Sequence, residues 1–137
     1  MKRLTLAIFA AAIILVTTQY CSKSSGSGGG CSEPTMTVTS DPPANTVQPP
    51  APGPTFPLTV NITSNMPGSG VTIEVKAHPE GSTNSFYTNS MSTTSPNNNN
   101  FTITGTPPAT NCQVDITVTS KSCNTNRVTL SYKYSSK

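Results

Sequence analysis

Apolar and polar residues alternate along most of the chain from residue 56 onward. Five short runs repeat a two-residue period in which one side is apolar. The apolar sides are Phe56, Leu58, Val60 and Ile62; Val71, Ile73, Val75 and Ala77; Phe101 and Ile103; Cys112, Val114, Ile116 and Val118; and Val128, Leu130, Tyr132 and Tyr134. This period with one apolar face predicts half-buried antiparallel strands. No apolar run outside the N-terminus has a helical period, so the pattern predicts an all-β fold.

Turn-forming residues separate these runs. They cluster at Asn65–Gly70, at His78–Gly81 and at Gly105–Pro108, and a run of four Asn adds a further break. About six strands at roughly 8–15-residue spacing predict two packed antiparallel sheets, and hence a β-sandwich over residues 58–137. Between residues 83 and 93 the alternation is too weak to set a register.

A proline-rich segment precedes the first long run. Residues 41–57 hold seven prolines, and proline lacks a backbone donor and favours extended polyproline geometry. The segment is therefore predicted to be a stiff connector or a strap along a sheet edge. Just before it, Thr35–Ser40 alternates polar and apolar and predicts a short strand. The pattern leaves open whether this strand joins the sandwich. Residues 35–57 are thus taken as a short strand and a Pro-rich connector.

The N-terminus reads as an export signal. Met1–Arg3 carries positive charge, and about 13 residues from Leu4 to Val16 follow with no polar side chain except Thr5. This run is shorter than the roughly 20 residues that a transmembrane helix needs. Its length and its basic start predict a secretory signal peptide over residues 1–20.

The arrangement of this leader resembles that of bacterial lipoproteins. An apolar run leads to Cys21, and Ser22–Ser25 continues as in many mature lipoproteins of the Bacteroidota, although Tyr20 stands where the family has Gly, Ala or Ser. The resemblance implies cleavage before Cys21 and lipidation of its thiol. Residues 21–34 would then be the lipidated Cys and a Ser/Gly tether. The implied location is the cell envelope, lipid-anchored to the outer membrane on its periplasmic or surface face, with the membrane as partner.

Charge narrows the range of partners. The chain has eight Lys and Arg against five Asp and Glu. Two of the eight basic residues, Lys2 and Arg3, lie in the leader. No basic patch remains that would indicate nucleic acid binding. Envelope proteins or glycans are the remaining candidate partners.

The segment Phe101–Val118 resembles the E strand, E–F corner and F strand of fibronectin type III domains. The family's Leu-x-Pro-Gly-Thr-x-Tyr corner corresponds to Thr106 through Cys112, with Pro108 and Thr110 as the direct matches. The family's Trp is absent, and Cys112 stands in place of the corner Tyr. The resemblance implies an immunoglobulin-like (fibronectin type III-like) antiparallel β-sandwich. Such domains serve as spacers or recognition modules.

Three cysteines follow Cys21, and an exported chain can form disulfides. In a fibronectin-like topology the first strand starts at the end that carries the last hairpin turn, so Cys31 can reach Cys123. A bridge between Cys112 and Cys123 is disfavoured, because eight strand steps span roughly 26 Å. A disulfide needs Cα atoms about 4.4–6.8 Å apart. The Cys31–Cys123 bridge, the Cys112–Cys123 bridge and no bridge all stay open, and Cys112 reads as a small buried hydrophobe.

The sequence contains few residues that could carry out catalysis. His78 is the single histidine and lies beside a turn, the five acids are scattered, and no Ser stands in a Gly-x-Ser-x-Gly motif. The sequence therefore predicts no enzyme, no metal site and no cofactor. Phe86 and Tyr87 are candidates for a sugar-stacking surface, although aromatic residues on a sandwich usually fill its core.

Three functions follow from this reading. The first is a membrane-anchored envelope lipoprotein whose immunoglobulin-like domain is a non-catalytic structural or protein-recognition module. The second is a glycan-binding module for polysaccharide capture, with Phe86 and Tyr87 as contacts. The third is a subunit of an envelope or appendage assembly that uses strand addition at an exposed sheet edge.

Overall fold

A computed structural model describes residues 31–137. The predicted signal peptide, the lipidation site Cys21 and the tether up to Gly30 lie outside the described residues. The described part contains no helix and seven strands: β1 (Thr37–Asp41), β2 (Phe56–Ser64), β3 (Val71–Pro79), β4 (Tyr87–Thr93), β5 (Asn99–Ile103), β6 (Asn111–Ser120) and β7 (Arg127–Ser135). The predicted all-β fold is confirmed.

The strands form two antiparallel sheets. The smaller sheet has the order β1-β2-β5, and the larger has the order β4-β3-β6-β7. The β3–β6 pair forms the centre of the larger sheet, with nine aligned pairs from Val71↔Ser120 to Pro79↔Cys112. The predicted arrangement of two packed antiparallel sheets is therefore present.

The core lies between the sheets and is built from the apolar sides that alternation predicts. The inward side chains of β3 and β6, from Val71 to Ala77 and from Cys112 to Val118, are fully buried. The pair Tyr132 and Tyr134 on β7 is buried with them. The earlier β7 positions, Val128 and Leu130, are only partly buried and pack against the margin of the core.

The structure moves the boundary between connector and sandwich. The short strand predicted at Thr35–Ser40 is β1, and it pairs with β2 from Thr37↔Ser64 to Asp41↔Thr59. β2 begins at Phe56, so the long strand includes Pro57. Pro57 is tolerated because β1 reaches only Thr59, which leaves Pro57 with a neighbour on one side. Residues 35–57 thus belong to the folded domain rather than to a separate connector.

The proline-rich segment was predicted to be either a stiff connector or a strap along a sheet edge, and in the structure it is a strap. Residues 45–51, hereafter the strap, run parallel to the outer edge of β7. Gln48 N–H donates to Lys133 O at 2.8 Å, Lys133 N–H donates to Thr46 O at 2.9 Å, and Ala51 N–H donates to Ser135 O at 2.7 Å. Ala51 is buried. The strap therefore closes one edge of the larger sheet.

The region with no clear register contains β4. This strand pairs with β3 in seven regular steps, from Val71↔Thr93 to Ala77↔Tyr87. Its inward side carries Tyr87 and Met91, which are partly buried against the core, and exposed Asn89 lies between them. The alternation is weak because β4 is an edge strand whose inward side is only half covered.

Candidate functional site

The first described residues are bound to the turn between β6 and β7. β6 ends at Ser120, β7 begins at Arg127, and the turn carries Cys123. Cys31 and Cys123 form a disulfide whose Cα atoms are 5.6 Å apart, across a sequence separation of 92. Of the three arrangements that the sequence left open, the structure has this one. The residues around the bridge are called the clamp: Cys31, Glu33, Ser122, Cys123 and Asn126.

Hydrogen bonds reinforce the disulfide of the clamp. The Glu33 carboxylate accepts hydrogen bonds from the Ser122 hydroxyl and from Asn126 Nδ2, the latter at 3.1 Å. The same Nδ2 donates to Pro34 O at 3.1 Å, and Asn126 Oδ1 accepts from Met36 N–H at 3.4 Å. These donors, Ser122 above all, lower the pKa of Glu33 below 4.5 because they stabilise its charged form. The buried Asn126 amide therefore uses both ends to hold residues 33–36 against the turn.

Cys112 is buried and forms no disulfide within residues 31–137. It lies at the start of β6, at the other end of that strand from the turn that carries Cys123. Burial raises the pKa of its thiol. The strand-length argument against a Cys112–Cys123 bridge is thus consistent with the observed bounds of β6. Cys112 packs as a small core residue beside Tyr134, its cross-strand partner.

His78 lies on the outer face of the larger sheet and links β3 to β6. Its Nε2 is 3.0 Å from Asp115 Oδ2, and its Nδ1 is 3.0 Å from Pro79 O. Gln113 Nε2 donates to the other oxygen of Asp115 at 2.8 Å. The Pro79 carbonyl, followed by Asp115, raises the pKa of His78 above 6.5. Both ring nitrogens face acceptors, so the arrangement favours a cross-strand ion pair rather than a general base.

Two shallow depressions lie on either side of Val47, between the strap and β7. Their volumes are about 250 and 300 Å³. Val47 itself is 78% exposed. The Lys133–Glu80 ion pair crosses the wall of the first depression. The first depression is lined by both Glu80 and Lys133, and the second by uncharged residues and the same Lys133, whose charge is paired with Glu80. Neither open surface therefore offers an unpaired charge to a ligand.

The predicted sugar contacts, Phe86 and Tyr87, lie side by side at the start of β4. Both are partly buried and pack against the core. Asn89 Nδ2 donates to the Tyr87 hydroxyl at 3.2 Å. Within residues 31–137, no three His, Cys, Asp or Glu side chains come together in a way that could hold a metal ion.

Sequence reasoning missed an aromatic cluster that fills one end of the core. The ring centroids of Phe56 and Tyr134 are 4.4 Å apart, and those of Phe56 and Tyr132 are 6.0 Å apart. The Tyr134 hydroxyl lies 2.7 Å from Thr106 Oγ1. Burial raises the pKa of Tyr134 to about 12, although the Thr106 hydroxyl opposes this shift. Shared parity of the three aromatic positions with core residues was the available signal, but the contact with Thr106 depends on how the strands pack.

Asn126 and Glu33 were also missed. Their residue types and spacing resemble those of any polar loop, and only the fold brings positions 93 residues apart into contact.

Comparison with known proteins adds no relative to this picture. The chain matches no family model, no curated protein and no solved structure. Among the described residues, no helix has the length and apolarity to cross a membrane.

Proposed function

We propose that this chain is a membrane-anchored envelope lipoprotein in which an immunoglobulin-like sandwich acts as a non-catalytic structural or protein-recognition module. The observation that carries the proposal is the clamp. A disulfide joins Cys31, ten positions after the proposed lipidation site at Cys21, to the body of the domain. The folded domain therefore includes residues 31–34, the last part of the segment that the sequence assigned to the tether.

The disulfide supports an exported location. Disulfides persist in oxidising compartments such as the bacterial periplasm and the cell surface, and they are rare in the cytosol. This agrees with the basic and apolar leader over residues 1–20, which is an independent feature of the chain.

The strand order supports the finer assignment to the immunoglobulin-like class. In that class, strands A, B and E lie in one sheet and strands C, F and G in the other. The segment that resembles strand E is β5, in the sheet β1-β2-β5, and the segment that resembles strand F is β6, between β3 and β7. The same correspondence makes β1 strand A and β7 strand G.

A hydroxyl contact at the corner before β6 adds a further resemblance. Cys112 stands where the fibronectin type III corner has Tyr, and its cross-strand partner is Tyr134. The Tyr134 hydroxyl reaches Thr106 in the corner at 2.7 Å. A tyrosine from β7 thus makes a hydrogen bond at the corner, next to the position where the family has its own Tyr.

A mechanical role follows from the position of the clamp. Force applied through the tether reaches Cys31 and passes through the disulfide to the β6–β7 turn. β1, an edge strand of only five residues, lies behind this bridge and is shielded from peeling. A domain held in this way suits a spacer or a recognition module that stands away from a lipid surface.

Metabolic labelling with a clickable fatty acid tests the anchor. We expect label on the wild-type chain and on the control Ser22→Ala, and none on Cys21→Ala. Equal label on Cys21→Ala would overturn the lipoprotein assignment. Protease treatment of intact cells then distinguishes the two faces of the membrane, because only a surface-exposed domain is cleaved.

A further inference from the structure

The two edges of the larger sheet differ in how they are protected. The outer edge of β7 is bonded to the strap. The outer edge of β4 has no neighbouring strand in the described part of the chain. The remaining edges, β1 and β5, belong to the smaller sheet and are five residues long. β4, with seven residues in regular register, is the longest open edge.

The free backbone groups of β4 can be assigned from the ladder. Glu80 N–H donates to Asn111 O, so the even-numbered residues of β3 bond to β6, whereas Ala77 O points to the β4 side and accepts from Phe86 N–H. Because backbone groups of alternate residues point to opposite sides of a strand, the odd-numbered residues of β3 bond to β4, and their ladder partners are the odd-numbered residues of β4. The N–H and C=O groups that point away from the sheet are therefore those of Thr88, Ser90 and Ser92.

Within residues 31–137, β4 lacks the usual devices that prevent edge pairing. Natural edge strands are commonly blocked by charge, proline, bulges or a covering segment. No Asp, Glu, Lys or Arg occurs between Glu80 and Asp115, and no proline lies within β4. The seven β3–β4 pairs run without a register shift. This edge is thus open, regular and uncharged.

We propose that β4 pairs with β4 of a second copy of this chain, in antiparallel orientation, to form a continuous eight-stranded sheet. Ser90 is the middle residue of the strand and lies opposite Ser90 of the second copy. Thr88 then faces Ser92 of the second copy, so the outward hydroxyl residues Thr88, Ser90 and Ser92 match one another. Hydroxyl pairs of this kind stabilise neighbouring strands.

The chemistry of β4 favours a second copy over an unrelated strand. An unrelated partner is selected through side-chain pockets or charges beside the edge. β4 itself carries no charged side chain, and the two charges next to it, Glu74 and Lys76 on β3, are paired with each other at 2.6 Å. Self-pairing places no like charges opposite one another. It also covers the inward side chains Tyr87 and Met91, which the single chain leaves partly exposed. The inference goes beyond the proposed function and does not depend on lipidation.

Cysteine cross-linking tests the register. The full chain carries Cys21→Ser, is purified in mild detergent, and retains the Cys31–Cys123 bridge. A directly opposed, hydrogen-bonded pair has Cα atoms about 5.5 Å apart, within disulfide range. Ser90→Cys is therefore expected to give a covalent dimer on mild oxidation. Thr88→Cys is the matched control, because its copies lie four strand steps, roughly 13 Å, apart. It is expected to stay uncross-linked alone and to cross-link when mixed with Ser92→Cys.

Charge at the two-fold position tests the interface without added thiols. Ser90→Lys places two like charges opposite each other. We expect the dissociation constant of the dimer, measured by sedimentation, to rise at least about tenfold. Mixing Ser90→Lys with Ser90→Asp is expected to restore dimers. Ser90 is exposed, so both variants should keep the wild-type circular dichroism. A monomeric wild-type chain at about 100 μM, where a dimer of micromolar Kd would form, would overturn the proposal. So would a dimer that is indifferent to Ser90→Lys, or cross-linking that is equal at residues 88 and 90.

Discussion

The two edges of the larger sheet differ in whether their unpaired backbone groups are covered. β7 is covered by the strap, whose N–H groups at Gln48 and Ala51 donate to β7 carbonyls. Pro49 and Pro50 lie between these two donors and have no N–H to offer to a further strand. β4 has no such cover in the described residues. The proline-containing strap therefore blocks the addition of another strand at β7, whereas nothing in the described residues blocks it at β4.

The clamp fastens the chain that leads into β1 and the strap, so its removal is expected to have the largest effect. Replacing both Cys31 and Cys123 with Ser should lower the free energy of unfolding by about 2–5 kcal/mol, as measured by urea denaturation. A reducing agent should lower the midpoint of the wild type and leave the double variant unchanged. An unchanged wild-type midpoint after full reduction would show that the clamp does not stabilise the fold.

Detaching the strap should make the two edges alike. Ala51→Glu introduces a carboxylate at a position that is 2% exposed, and we expect a loss of about 1–3 kcal/mol in unfolding free energy. The uncovered β7 edge should also increase association, seen as light scattering. Pro52→Glu is the matched control, since Pro52 is exposed. Equal scattering by the two variants would contradict the protective role of the strap.

The attachment of β4 can be disturbed at its end. Gly70 has a φ of +81°, and a Cβ there would lie 2.4 Å from Thr93 O at the end of β4. Gly70→Ala is expected to lower unfolding free energy by about 2 kcal/mol, from strain plus the clash. Gly81 has a φ of +80° with nothing within 4 Å, so Gly81→Ala should cost about 1 kcal/mol from strain alone. Identical losses in thermal or urea denaturation would mean that β4 shifts freely.

Tyr132 and Tyr134, both on the inward side of β7, allow two matched hydroxyl deletions to be compared. Tyr134→Phe removes the partner of Thr106, which is buried, and we expect a loss of about 1 kcal/mol. The Tyr132 hydroxyl is buried without a partner among the described residues, so Tyr132→Phe should be neutral or slightly stabilising. Urea denaturation of the two variants under one buffer condition makes the comparison. A greater loss from Tyr132→Phe would contradict the observed pairing.

The smallest expected effect lies at the sheet centre, between the two edges. The pKa of His78 is raised in the folded chain, so its contribution to stability is fully present below the unfolded pKa, near 6.5. That contribution is lost as pH rises through the higher folded pKa. The urea midpoint of the wild type should therefore fall slightly from pH 6 to pH 8, relative to His78→Gln. The pKa of Glu33 is lowered, so its contribution to stability changes only at acid pH, outside the range from pH 6 to pH 8. Parallel profiles would contradict a stabilising His78–Asp115 pair.

Alternation in the sequence determined the strands that are buried on one side. The runs that begin at Phe56, Val71 and Cys112 predicted β2, β3 and β6, because a half-buried strand needs an apolar residue at every second position. The proline content of residues 41–57 likewise limited them to a connector or an edge strap, since proline cannot donate to a ladder.

Only the tertiary structure decided which edge the strap covers, that β1 joins the sheet, and that β4 has a regular register despite its weak pattern. It also brought Glu33 to Asn126 and Tyr134 to Thr106. These features depend on backbone pairing and on polar contacts between distant residues. Backbone groups are the same at every non-proline position, and a lone Asn or Thr has many possible partners, so no local pattern specifies them.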